Sequence, residues 1–136
     1  NSFEQITIFE NLLIQPIARD VKVFVPARNF DESLGFYQAL GWQLNWLADD
    51  SGLAELELAN CRIFLQNYYN KHWANNFMMH IIVDDAESWW QKASTVIAKG
   101  NYKYARVKEP QTESYGALVT FVWDPSGVLL HFAQML

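Results

Sequence analysis

The sequence predicts an α+β fold made of two βαβββ modules. Three observations carry that prediction. Short runs of alternating apolar and polar residues flank two helical patterns, and they do so in the same order in both halves. Each helical pattern starts at an acidic capping residue and stops at a glycine. Glu32-Ser33, just inside the first helix, recurs as Glu87-Ser88, 55 positions later in each case, as an internal duplication would leave it.

Residues 1–20 form an N-terminal extension without a pattern of their own. The first module, residues 21–75, opens with "VKVFVP", a run of β-branched and aromatic residues closed by Pro26 as an edge strand is. In "NFDESLGFYQALGW", Leu34, Tyr37 and Leu40 recur at helical spacing, Asp31 is the expected N-cap and Gly41 the stop. Strands are expected at "QLNWLA", "LAELELA" and "RIFLQN", the last two joined by a tight turn at Asn60-Cys61. The second module, residues 76–136, runs from the strand "FMMHIIV" to a helix "DDAESWWQKASTVIAKG". There Asp84 and Glu87 stand at capping-box spacing and Gly100 ends the helix. Strands follow at "YKYARV", "GALVTFVW" and "VLLHFAQ", and the unpatterned "KEPQTES" (108–114) is expected to be a loop at the mouth of a pocket. Both modules are expected to share one compact domain.

Composition narrows the function. The chain has 136 residues, 51% hydrophobic and 18% charged, with a net charge of -5. This acidic balance argues against nucleic acid, whose phosphates need a basic stripe, and favours neutral or cationic partners. No apolar run is long enough for a membrane span, and Glu4 and Glu10 occupy the place of a basic leader region. With Cys61 the sole cysteine, no internal disulfide can form, and a reducing, cytoplasmic setting is expected. Aromatic residues make up 15% of the chain; a core and a dimer interface are expected to take most of them, and the rest suit a pocket for a flat ligand.

Strand alternation sorts side chains onto two faces. Val21, Val23 and Val25, then Ile63 and Leu65, then Met79, Ile81 and Val83, then Leu130 and Phe132 form aliphatic faces suited to packing under helices. Lys22, Phe24, Arg62, Phe64, Gln66, His80 and His131 lie on the opposite, mixed faces, which are expected to line a cleft. His80 and His131 are metal-ligand candidates, with Glu55 or Glu57 as further donors, but two histidines leave a catalytic shell incomplete. No nucleophilic triad and no glycine-rich phosphate loop is legible.

The tracts "PARNFDESLGFYQALGW" (26–42) and "WDPSGVLLHF" (123–132) together resemble the vicinal oxygen chelate superfamily. That group includes glyoxalase I, extradiol dioxygenases and the fosfomycin- and bleomycin-resistance proteins. The resemblance implies curved sheets forming a cleft, often completed by a second subunit. The metal positions of the superfamily fall on Lys22, Phe64, His80 and His131, of which only the histidines could coordinate. The Pro26-x-Arg28-x-Phe30-Asp31 run, Tyr115-Gly116 and "DPSGVLL" are closest to the metal-free bleomycin-resistance branch. This similarity implies a homodimer, possible exchange of the first strand at Pro26, and sequestration of flat cationic drugs in interfacial grooves. Phe24, Trp46, Phe64, Tyr115 and Trp123 would then supply stacking surfaces, and Lys22, Glu57, Gln66, His80 and His131 polar contacts. No cofactor is expected on this reading. The alternatives are a divalent-metal lyase, isomerase or dioxygenase using His80 and His131, and an interaction module with no small-molecule site.

Overall fold

The computed structural model describes residues 14–136, so most of the expected N-terminal extension lies outside the described residues. The elements in chain order are β1 (Phe24–Pro26), α1 (Phe30–Leu40), β2 (Gln43–Leu47), β3 (Leu53–Leu58), β4 (Cys61–Gln66), α2 (Lys71–Asn76), β5 (Met78–Ile82), α3 (Ala86–Lys99), β6 (Arg106–Glu113), β7 (Ala117–Trp123) and β8 (Leu129–Met135). They form two four-stranded sheets, ordered β1-β4-β3-β2 and β5-β8-β7-β6. In each, the first strand lies parallel to the last, Phe24 beside Phe64 in one and His80 beside His131 in the other. The remaining pairs are antiparallel. A parallel pair needs a crossover, and α1 and α3 begin those crossovers. The α+β class and the repeated βαβββ order are those the sequence predicts.

The aliphatic faces pack inward except at the start of β1, where Val25 is buried but Val21 and Val23, expected on the same packed face, are exposed because they precede the short strand. Val25, Ile63 and Leu65 of the first sheet join Phe36, Tyr37 and Leu40 of α1, Ala93 of α3, and Val122, Leu130 and Phe132 of the second sheet in one buried cluster. Both modules therefore share a core. Trp89 of α3 stacks on Phe132 with ring centroids 4.4 Å apart. Each fully buried large side chain here contributes about 1.5–3 kcal/mol.

Polar bonds also tie the modules together, and they involve the residues that carry the family resemblance. The Tyr37 hydroxyl donates to Asp124 Oδ2 at 2.7 Å, deep in the interior. Asp124 Oδ1 accepts the N–H groups of Ser126 and Val128, which folds the Asp-Pro-Ser-Gly turn around it. Ser126 Oγ accepts from the Arg28 N–H at 2.9 Å and lies 3.2 Å from Ser33 Oγ. Burial pushes the Asp124 carboxyl up to about 6, against the opposing pull of the Tyr37 and backbone hydrogen bonds. These motif residues build the joint between modules.

Several local expectations are corrected. The "KEPQTES" segment is not a loop: β6 runs through it to Glu113, with a register shift between Lys108 and Gln111 that absorbs Pro110. As β6 is the outer strand of its sheet, a proline without an N–H is tolerated there. Conversely, the expected strand "YKYARV" begins only at Arg106, and "VKVFVP" pairs only over Phe24–Pro26. The N-cap of α1 is Asn29, whose side chain accepts from the Glu32 N–H, rather than Asp31. The cap of α3 is Asp85, which accepts from Glu87 N–H and Ser88 Oγ, rather than Asp84. Cys61 already belongs to β4, and the hairpin turns at Ala59-Asn60, with Ala59 at φ 53°. Helix α2 was not anticipated; Asn70 caps it through the Trp73 N–H.

Candidate functional site

The mixed faces of the two sheets are the surfaces able to receive a ligand. On the first sheet the register sets Phe24 beside Phe64, Phe64 opposite Glu55 and Arg62 opposite Glu57. The Phe24 and Phe64 rings meet with centroids 5.4 Å apart, and Phe24 is left 46% exposed. Lys22 Nζ lies 5.4 Å from the Phe64 centroid and 3.6 Å from Glu55 Oε1. It also pairs with Asp20, which in turn lies 3.3 Å from Arg62 Nη2. The Lys22 ammonium, with help from Arg62, holds the Asp20 carboxyl below the usual carboxylate range. Asn45, at a bulge in β2, donates to both Glu55 and Glu57, at 3.1 and 2.8 Å. Trp46 follows it opposite Glu55 and is half exposed. Gln66 closes this face beside Pro26 and opposite Leu53. Three carboxylates against two cations leave the surface mildly acidic, with an aromatic floor.

The second sheet presents a different surface. His80 and His131 lie side by side with ring centroids 6.1 Å apart. His131 packs edge-on to Phe121 at 4.9 Å, and its Nε2 faces Met78 Sδ at 3.4 Å. Tyr115 lies 6.3 Å from His80, and Trp123 6.4 Å from Phe121. Partial burial, with the neighbouring His80, holds the His131 imidazole below its ordinary range, while Glu113 pulls the other way. That environment favours the neutral imidazole, which can donate through one nitrogen and accept through the other.

The ten residues singled out from the sequence thus divide between two surfaces. Phe24, Trp46, Glu57, Phe64 and Gln66 share the first sheet with Lys22 just ahead of it, and His80, Trp123 and His131 the second with Tyr115 in the turn between β6 and β7. Each group holds together; a hollow of about 580 Å³ between the sheets takes in His80 of the second group beside Val23, Cys61 and Ile63, and none of the first group's six residues lines it. Alternation along a strand sorts faces, and it carries no information about how two sheets are mutually oriented. Asp20, Asn45, Phe121 and Met78 were not singled out for the site, and Glu55 only as an alternative metal donor. Phe121 was legible, being two residues from Trp123 on the same face. Asn45 was not, because the bulge reverses the local alternation.

The donor set bears on metal. Among the described residues, no three of His, Cys, Asp and Glu come together. Lys22 and Phe64 occupy the other two positions the resemblance assigns to ligands; one is an ammonium held in ion pairs, the other a hydrocarbon ring. The residues present do not fit the superfamily's four-ligand site. No helix among the described residues is long and apolar enough to cross a membrane.

Comparison with known proteins places this geometry. A bleomycin resistance protein from Klebsiella pneumoniae is 25% identical over 112 residues, covering 81% of this chain and 87% of its own length. Among solved structures, a bleomycin-binding protein complexed with bleomycin superimposes with a TM-score of 0.69 at 21% identity, over 88% of this chain and all of the other. A lactoylglutathione lyase from Agrobacterium tumefaciens superimposes with a TM-score of 0.63 at 12% identity, over 88% and 95% of the two chains. Both structural likenesses concern the fold alone. The model of the Glyoxalase/Bleomycin resistance protein/Dioxygenase superfamily matches residues 19–132, nearly the whole described chain, and the chain belongs to that superfamily.

Proposed function

We propose that this protein is a metal-free, homodimeric binding protein that sequesters a flat aromatic or cationic small molecule, of the kind an antibiotic-resistance protein captures. One observation carries the reading: each sheet leaves an aromatic, hydrogen-bonding face partly exposed, Phe24–Phe64 on one and His131–Phe121 on the other. An open face of this kind is half of a pocket. A second copy setting its second sheet against the first would complete two equivalent grooves under twofold symmetry. The open sheet edges supply an apolar surface for self-association, with Val23 44%, Met78 61% and Ile82 70% exposed. In the single chain β1 pairs with its own β4 over three residues, so exchanging that strand between subunits would break few bonds. The surplus carboxylate of the first face favours a cationic ring, and the name of the Klebsiella pneumoniae relative supports an antibiotic-like ligand.

Sedimentation combined with tryptophan fluorescence titration against cationic aromatic compounds tests the reading. A dimer with saturable quenching, weakened by Phe64→Ala and His131→Ala alike, is expected. A strict monomer at all concentrations removes the shared groove. The adjacency of His80 and His131 favours the alternative, a metal-dependent lyase or dioxygenase. Stoichiometric metal in protein purified without added metal, lost on His131→Ala, would decide for it.

A further inference from the structure

Away from the open sheet centres, a strip of cations and aromatic rings runs along the end of the molecule where the Asp124–Gly127 turn meets α1 and α2. The Arg28 guanidinium lies 4.1 Å from the centroid of Tyr104, and Lys103 Nζ lies 5.5 Å from the same ring. Further along, the Arg106 guanidinium lies 4.1 Å from the Trp123 centroid, with Lys108 at 5.9 Å. A hollow of about 350 Å³ opens between Arg28, Lys71, Tyr69, Tyr104 and the turn. A second of about 340 Å³, between Tyr104, Arg106 and Trp123, adjoins it through Asn75 and Gly127.

Charge makes this strip unusual. The chain carries net -5, yet five of its ten basic residues, Arg28, Lys71, Lys103, Arg106 and Lys108, gather here. Among the described residues, none of the five has a carboxylate oxygen within ion-pair distance; the ion pairs seen involve Lys22 and Arg62. The nearby Glu32 carboxylate is engaged by the backbone N–H of Lys103. That carboxylate is one counter-charge near five cations, and like charges kept close in such excess raise one another's energy, a cost that a bound anion relieves. The strip is also held in place. Arg28 is fixed through its backbone N–H to Ser126, the turn is locked around Asp124, and stacking on Tyr104 and Trp123 orients both guanidinium planes. The Tyr104 phenol is held below its ordinary range by Arg28 and Lys103, in keeping with a positive local potential.

We infer that this strip is a second binding site, for a small planar molecule carrying an oxyanion, a carboxylate or a phosphate. Arg28 and Arg106 provide forked N–H donors that match either oxyanion, Lys71 adds a point charge, and Tyr69 and Tyr104 offer ring surfaces to the planar body. The hollow is of small-molecule size. The site meets the second sheet's half of the proposed grooves along one border, where Arg106 stands opposite Trp123 and Lys108 opposite Phe121; Arg28, Tyr69, Lys71 and Tyr104 lie beyond it.

Backbone amide and ring NMR titration with benzoate and with phenyl phosphate tests this, with benzyl alcohol as the neutral control. Saturable shifts at Ser126, Gly127 and the Tyr104 ring, weakened by salt and absent with benzyl alcohol, are expected. The double variant Arg28→Gln/Arg106→Gln should weaken binding at least about tenfold at an unchanged melting temperature. The single variant Arg28→Gln, which lies off the second sheet's face, should weaken acid binding too and leave the response to cationic aromatic compounds intact, so that the site stands or falls independently of the grooves. Binding of one acid but not the other assigns the oxyanion class. Equal binding of benzyl alcohol, unchanged affinity in the double variant, or no saturation by about 10 mM ligand overturns the inference.

Discussion

Replacing Tyr37 with phenylalanine tests the joint between the modules, and its effect should depend on pH in a defined direction. Tyr37 is fully buried, and its hydroxyl is 2.7 Å from Asp124 Oδ2, whereas the Ser126 and Val128 N–H groups both go to Oδ1. The substitution keeps the ring and its edge-on contacts with Phe36 and Trp42. It removes only the donor, leaving one carboxylate oxygen bare in the interior. A hydrogen bond to a charged group contributes about 1.5–3 kcal/mol, and a neutral one about 1 kcal/mol. The Asp124 carboxyl titrates at about 6 in the folded protein against 3.8 as its unperturbed value. The folded state therefore holds a proton that the unfolded state has released, and this group's stabilising contribution is lost as pH rises through that window. Taken alone, Asp124 lowers stability by about 3 kcal/mol between the two limits. Above the folded value of about 6 Asp124 is charged, and Tyr37→Phe should cost about 2–3 kcal/mol; about one pH unit below it, where the folded carboxyl is mostly protonated, about 1 kcal/mol. Urea unfolding followed by far-ultraviolet circular dichroism at about pH 8 and about pH 5 measures both values. An equal cost at the two pH values, or a cost under about 0.5 kcal/mol at the higher one, would refute the assignment.

Other outcomes follow from the same geometry. By NMR, His131 should titrate below the ordinary histidine range, moving up on His80→Ala and further down on Glu113→Gln; a midpoint indifferent to His80 contradicts the paired arrangement. Because its folded value is depressed, His131 adds stability above its unfolded value of 6.5, and that contribution is lost as pH falls. Gly127→Ala should destabilise by about 1–2 kcal/mol, since φ is +95° there and an added Cβ would stand 2.9 Å from Asn75 Oδ1. Asn75→Ala in that background should restore only part of the loss, because the backbone strain remains; full recovery in unfolding experiments would show the clash alone to be responsible. Phe64→Ala should weaken aromatic-ligand binding about tenfold, read by fluorescence titration, and an unchanged affinity would move the ligand off the first sheet.

Much of the architecture is written in short-range pattern. Period-two alternation put Ile63 and Leu65 inside and Phe64 outside, and His131 on the face opposite Leu130 and Phe132. The glycine stop at Gly41 was legible because φ reaches +116° there, a conformation that glycine adopts without a Cβ penalty. Local reading failed where a neighbour decided. Pro110 argues for a loop by itself, and only its place on an outer strand, bulged against β7, makes it part of β6. Asn29 prevailed over Asp31 as a cap because the backbone enters α1 two residues earlier.

By itself, the sequence determined the class, the duplicated order of elements and the two faces of each strand, because these depend on residues two to four positions apart. Tertiary structure alone decided the rest. Tyr37 meets Asp124 across 87 positions, and Arg28 meets Ser126 across 98. The candidate ligand residues fall on two separate surfaces, and five scattered cations converge on one strip. Such contacts are set by how helices seat two sheets on a common core, and alternation along a strand carries no record of that packing.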